Sequence, residues 1–86
     1  MAMSPEEWIK QAVYDMDTAE YMHKGKRHFY AVFMCHLSVE KALKGLYQKR
    51  LNMDPPRVHN LVYLLNRVGI KPPEPIGRFL VKLNEA

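Results

Sequence analysis

The placement of proline constrains this chain more than any other feature. All six prolines, at positions 5, 55, 56, 72, 73 and 75, stand at or outside the edges of segments with helical apolar spacing. Proline can open a helix but not continue one, because it lacks the N–H and clashes with the preceding turn. With Gly25 and Gly69, these residues divide the chain into four helical segments. No β signal interrupts them. The expectation is a single all-α domain over residues 1–86, an up-and-down antiparallel bundle of four helices joined by short links.

The first segment opens on Ser4-Pro5-Glu6-Glu7, with Ser4 as N-cap, Pro5 at the first helical position and Glu7 completing a capping box. Trp8, Ile9, Ala12, Val13, Met16 and Ala19 follow on one side, while Lys10, Asp17 and Thr18 face water. The helix is expected to end at His23 or Lys24, with Gly25 in the left-handed position. A third helix is expected from about Arg57 to Val68, ended by Gly69, and a fourth from Glu74–Ile76 onward.

The second segment, from His28 to Arg50 or Leu51, is the longest and carries two unusual faces. Ala31, Cys35, Ser38, Ala42 and Gly45 recur at spacings of four, three, four and three, all small, so another backbone can approach closely along a dimer or close-packing face. On the other side, His36, Glu40 and Lys44 stand four apart in a line beside Tyr47, surrounded by Phe29, Phe33, Leu37, Leu43 and Leu51. A lone buried charge costs several kcal/mol, on the order of a lost native contact network. Groups at i, i+4 can satisfy one another. The ladder is therefore either a buried polar network that fixes helix register, or the lining of a groove or dimer seam. Only Lys41, Gln48 and Lys49 are left facing water, which makes this the central helix. His59, in the expected first turn of the third helix, either bonds backbone groups of the preceding loop or joins a phosphate-binding or catalytic pocket.

Composition narrows the classes. At 86 residues the core is thin, since a chain this short buries only about 60% of its unfolded surface, and a partner subunit would help. The apolar runs are too short to span a membrane. The N-terminus has no signal-peptide pattern, and the single cysteine excludes an internal disulfide, so a reducing cytoplasm is expected. Residues 1–20 hold one lysine against five acids, whereas residues 21–50 hold seven bases against Glu40 alone. Such a basic middle is either a solvated surface or an attraction for nucleic acid or nucleotide phosphate. A His–Glu pair at i, i+4 can contribute to a metal site, but no convincing set of further ligands accompanies it. No glycine-rich phosphate loop or paired cysteine motif is present, and no cofactor is expected.

Phe29-Tyr30-Ala31-Val32-Phe33, then Ser38-Val39-Glu40-Lys41-Ala42-Leu43-Lys44-Gly45-Leu46, then Pro56 followed by His59-Asn60-Leu61 and Leu64-Leu65, resemble the HEPN family, a nucleotide-binding domain of higher eukaryotes and prokaryotes. Asp15, Ala19 and Gly25 fit as well, and the resemblance extends over residues 5–86. It implies an all-α, usually homodimeric, cytoplasmic protein, often encoded beside a minimal nucleotidyltransferase. Many such pairs are toxin–antitoxin systems in which the HEPN member is a metal-independent ribonuclease. In those, an Arg and a His separated by four to six residues meet across the dimer, the His moving a proton and the Arg stabilising the phosphorane.

This chain departs from that pattern. Its arginines are Arg27, Arg50, Arg57, Arg67 and Arg78, and none has a His at the required distance; Arg57 and His59 have one residue between them. No catalytic residue carries over. The family's fourth helix usually continues into a further segment that bears the motif, so the resemblance implies either a truncated chain or a short non-catalytic member. Glu40, Lys44 and His59 match family-typical positions and are carried over as pocket or interface residues; with His36 they are the expected nucleotide- or RNA-binding or polar pocket. The leading expectation is a HEPN-type nucleotide- or RNA-binding partner of a nucleotidyltransferase. The alternatives are a ribonuclease toxin whose motif lies beyond Ala86, and a purely structural homodimerisation module.

Overall fold

The computed structural model describes residues 3–85 and is an all-α bundle of four helices: α1 (Pro5–Lys24), α2 (His28–Leu51), α3 (Leu61–Val68) and α4 (Glu74–Glu85). The capping box at the start of α1 forms as the sequence predicts. Ser4 accepts from the Glu7 N–H, and the Glu7 carboxylate accepts from the Ser4 N–H. The other end differs from expectation. Gly25 keeps a negative φ, and Lys26 takes the left-handed conformation at φ 60° instead. The turn closes by bonds from the Gly25, Lys26 and Arg27 N–H groups to the last carbonyls of α1.

α2 is the central helix, packed by α1 on one side and by α3 and α4 on the other. α1 and α2 form an antiparallel hairpin, and the small-residue stripe is where they meet. Ser38 Oγ donates to the Ala12 carbonyl at 2.7 Å, with both residues buried. A Cβ added at Gly45 would stand 3.0 Å from the Trp8 Cβ and 3.2 Å from the Pro5 carbonyl oxygen. Ala31 is buried, Cys35 and Ala42 are half-buried, and Cys35 Sγ lies 4.0 Å from Met16 Sδ. The stripe is thus used within the chain, as a close-packing face for α1.

Two residues assigned to the solvent edge of α2 are in fact engaged. Gln48 is buried and donates to the Met3 carbonyl at 2.7 Å. Lys41 Nζ reaches across to the buried Asp15 carboxylate at 2.8 Å. Both sit where α1 crosses α2, and their long stems let a polar tip reach a partner in an otherwise closed contact.

The opposite side of α2 supplies Leu43 and Tyr47 to a core shared with Leu61, Leu64, Leu65 and Val68 of α3 and Leu80 and Leu83 of α4. The path into that core refines the up-and-down expectation. α3 starts at Leu61 rather than Arg57, because Asn60 is its N-cap and accepts from the Tyr63 N–H at 3.0 Å. Residues 52–60 are not helical and carry the chain back along α2. Eleven helical residues cover about 16 Å, and a nine-residue extended segment can span up to about 30 Å. The return brings His59 beside Glu40, while at the far end of α3 Arg50 Nη1 donates to the Val68 carbonyl at 3.2 Å. α3 therefore runs in the same direction as α2. Gly69, at φ 82°, ends it, and α4 returns so that Asn84 Oδ1 accepts from the Leu61 N–H at 2.7 Å.

Because Gly45 has no room for a side chain against α1, Gly45→Leu is expected to cost at least about 1–3 kcal/mol by overpacking. Urea unfolding followed by circular dichroism would show it. A midpoint equal to the parent's would mean that α1 does not lie this close.

Candidate functional site

Glu40 is the centre of the polar cluster. It is 4% exposed, midway along α2, on the face that turns away from α1. Lys44, one turn later, donates from Nζ to Glu40 Oε2 at 2.9 Å and is itself buried. His36, one turn earlier and half-buried, places Nδ1 3.6 Å from Oε1. His59 arrives from the 52–60 segment with Nδ1 at 2.8 and 3.0 Å from the two carboxylate oxygens. The four residues singled out by sequence, His36, Glu40, Lys44 and His59, thus converge on one carboxylate. His59 does so from an extended stretch before α3, not from the helix's first turn.

The geometry fixes how His59 is presented. An ionised carboxylate only accepts hydrogen bonds, so the ring nitrogen facing it, Nδ1, carries the proton. Nε2 is then left on the outer side of the ring. The His59 side chain is 80% exposed, whereas that of Glu40 is almost wholly covered. A wet imidazole is held by a dry carboxylate. That is an arrangement for orienting a ring, and an oriented imidazole can meet a phosphate oxygen or a base edge, or exchange a proton.

His59, His36 and Glu40 line a cleft of about 590 Å³ together with Phe33, Leu37, Asn60 and Asn84. The two asparagines were not anticipated. Asn60 Oδ1 accepts from the Tyr63 N–H and from Asn84 Nδ2, the latter at 3.2 Å, so the cap of α3 and the end of α4 are locked together at the cleft wall. Asn60 could have been read as an N-cap from its place before an apolar helix. Asn84 carried no local signal, since its role depends on the return of α4.

Lys44 faces a second, smaller cavity of about 230 Å³ lined also by Trp8, Asp54, Pro55, Pro56 and Arg57. Its Nζ stands 5.9 Å from the Trp8 ring centroid, within cation–π range. The Glu40–Lys44 pair therefore forms a wall between two cavities, its anionic end toward one and its cationic end toward the other. Tyr47, next along this face, belongs to the core. Its hydroxyl accepts from Arg67 Nη2 at 3.4 Å, and this bond raises the Arg67 pKa above its usual value.

Among the described residues no group of three or more His, Cys, Asp or Glu side chains could hold a metal ion. No described helix is long and apolar enough to cross a membrane. Compared with known proteins, the chain matches the HEPN domain family over residues 5–86. No curated protein and no solved structure matches it.

A buried pair is most sensitive to losing one member. Lys44→Met leaves the covered carboxylate with only its histidines and is expected to cost about 3–5 kcal/mol. Glu40→Leu combined with Lys44→Met removes both charges and should recover most of that loss. Chemical denaturation of the two variants compares them directly. Equal destabilisation would show that packing, not the uncompensated charge, dominates.

Proposed function

The chain belongs to the HEPN domain family, and from that membership we propose that it is a nucleotide- or RNA-binding helical domain whose pocket is built by His36, Glu40 and His59, with Lys44 balancing the Glu40 charge from the side away from the cleft. The observation that carries this reading is the Glu40–His59 contact at 2.8 Å, in which a buried carboxylate holds an exposed imidazole at the mouth of a cleft. Family membership supports a nucleotide- or RNA-related role in general. The cleft supplies what such a ligand needs, namely histidine nitrogens for a phosphate and the apolar edges of Phe33 and Leu37 for a base. The role is binding rather than catalysis by the chain itself, since the arginine and histidine of the 52–60 segment are too close in sequence to make the family's ribonuclease pair. Its working partner is a minimal nucleotidyltransferase, in a pair of the toxin–antitoxin type.

Isothermal titration with a panel of nucleoside monophosphates tests this. His59→Ala should weaken binding about tenfold or more, the worth of one hydrogen bond to a charged group. Glu40→Ala, which removes the acceptor that holds the ring, should have a similar effect through loss of ring orientation. If no nucleotide binds, or if both variants bind as the parent does, the cleft is not the site.

A homodimer is the second element of the proposal, and the surface supports it. Between α1, α2 and α4 runs a groove of about 330 Å³ with Met16, Val32 and Phe79 on its walls, almost entirely apolar. Val32 and Phe79 are exposed. A second copy would cover them. Sedimentation equilibrium should give a dimer, and Val32→Asp with Phe79→Asp should give a folded monomer. A parent chain that is monomeric at high micromolar concentration would remove this element.

A further inference from the structure

The turn between α1 and α2 is the most basic exposed part of the surface. Lys24, Lys26 and Arg27 lie within four residues, with His23 and His28 on either side, and all five are exposed. No acidic residue occurs between Glu20 and Glu40. The first turn of α2 holds no acid, and its N-cap, Arg27, makes no side-chain cap bond.

Immediately beyond lie two exposed aromatic rings, the first of them the most exposed large apolar side chain among the described residues. Phe29 is 93% exposed, and Phe33, one helical turn on, is 59% exposed. Phe29, Val32, Phe33 and His36 line one shallow cavity. Phe33 and His36 also line the cleft that holds Glu40 and His59. Cations, two exposed aromatic rings at i, i+4 and the histidine cleft thus follow one another along the first half of α2. From Arg27 to His36 the helix covers about 14 Å.

We infer that the basic turn and the Phe29–Phe33 strip form a track for single-stranded RNA that leads into the His36–Glu40–His59 cleft. This rests on the nucleotide-binding reading of that cleft and extends it from a single nucleotide to a strand. Surfaces for single strands combine cations that follow the phosphates with aromatic rings on which successive bases stack. A duplex keeps its bases stacked on each other and has no use for the rings.

The test uses the full chain and a dye-labelled single-stranded oligouridylate of about ten nucleotides, within the usual site size. Its affinity is read by fluorescence anisotropy at several salt concentrations. Replacing Lys24, Lys26 and Arg27 together with alanine should lower the slope of log affinity against log salt by about 2, three phosphate contacts at roughly 0.7 each. Phe29→Ala and Phe33→Ala should each weaken binding by about fivefold or more at fixed salt, as loss of one stacked base does, without changing that slope. Uridine monophosphate binding at the cleft should persist in the triple variant and in Phe29→Ala, neither of which touches the cleft lining, whereas Phe33→Ala, which also lines the cleft, should weaken it. An unchanged salt slope in the triple variant overturns the track. So does an unchanged RNA affinity in the Phe variants combined with loss of dimer in sedimentation, which would make the strip an interface between copies. Binding of duplex RNA or heparin by the parent as tightly as the oligouridylate also overturns it, leaving a general polyanion surface. Failure of the cleft is seen separately. There the monophosphate does not bind, and His59→Ala leaves RNA affinity as it was.

Discussion

One carboxylate constrains most of this structure. Moving Glu40 out of water costs several kcal/mol on the order expected for a buried ion, and the cost is tolerable only with partners in place. Lys44 supplies charge from the turn above at 2.9 Å, and His59 supplies a hydrogen bond from a different segment at 2.8 Å. The first partner comes with helix formation. The second requires the chain to leave α2, run back along it and present residue 59 at the level of residue 40. The unusual direction of α3 follows, because Asn60, the next residue, caps that helix. Asn84 then ties α4 to the same point. The polar site and the placement of the last two helices are therefore one problem with one solution.

Much of this was legible in sequence, for reasons specific to each element. Helices α1, α2 and α4 have local signals at their starts or along their faces, and the Ser4–Glu7 box is a purely local device, so it forms as read. The convergence of His36, Glu40 and Lys44 follows from i, i+4 geometry alone. What could not be read depends on the chain returning to itself. Nothing in residues 52–60 states that they turn back toward Glu40, so the sequence pattern puts His59 on a helix that it only precedes. Asp15 was read as one acid among five near the N-terminus, yet it is buried and paired with Lys41. Gln48 and Lys41 were assigned to water because residue type outweighed position. The exchange of Gly25 for Lys26 as the left-handed residue is a local failure of another kind. Glycine permits that conformation without requiring it, and the bonds of the turn fell one residue later.

The small-residue stripe shows how one pattern serves two readings. Spacings of four and three among Ala31, Cys35, Ser38, Ala42 and Gly45 say that a backbone approaches, not whose backbone it is. The Ser38 hydroxyl against the Ala12 carbonyl and Gly45 against Trp8 assign the stripe to α1. An interface between copies must then use other surface, of which the apolar groove at Val32 and Phe79 is one part.

α2 is covered unevenly along its length, and the polar site sits where the cover changes. From Leu43 to Gln48 every residue but Leu46 is buried, whereas Phe29, Val32 and Phe33 are open. Glu40 lies just inside the enclosed half, and the His59 ring just outside it. The boundary matters physically. Farther in, an imidazole would be unreachable by a ligand. Farther out, water would loosen the carboxylate's hold on it, because a hydrogen bond to a charge strengthens as the surroundings become less polar. A ligand that engages the outer nitrogen of His59 acts on a ring whose inner nitrogen anchors the 52–60 segment. Binding there stabilises the seated form of that segment by mass action, and with it the cap of α3 and the end of α4 fastened to that cap. Under the proposed reading, occupancy of the cleft and the seating of the 52–60 segment are therefore linked through the His59–Glu40 contact.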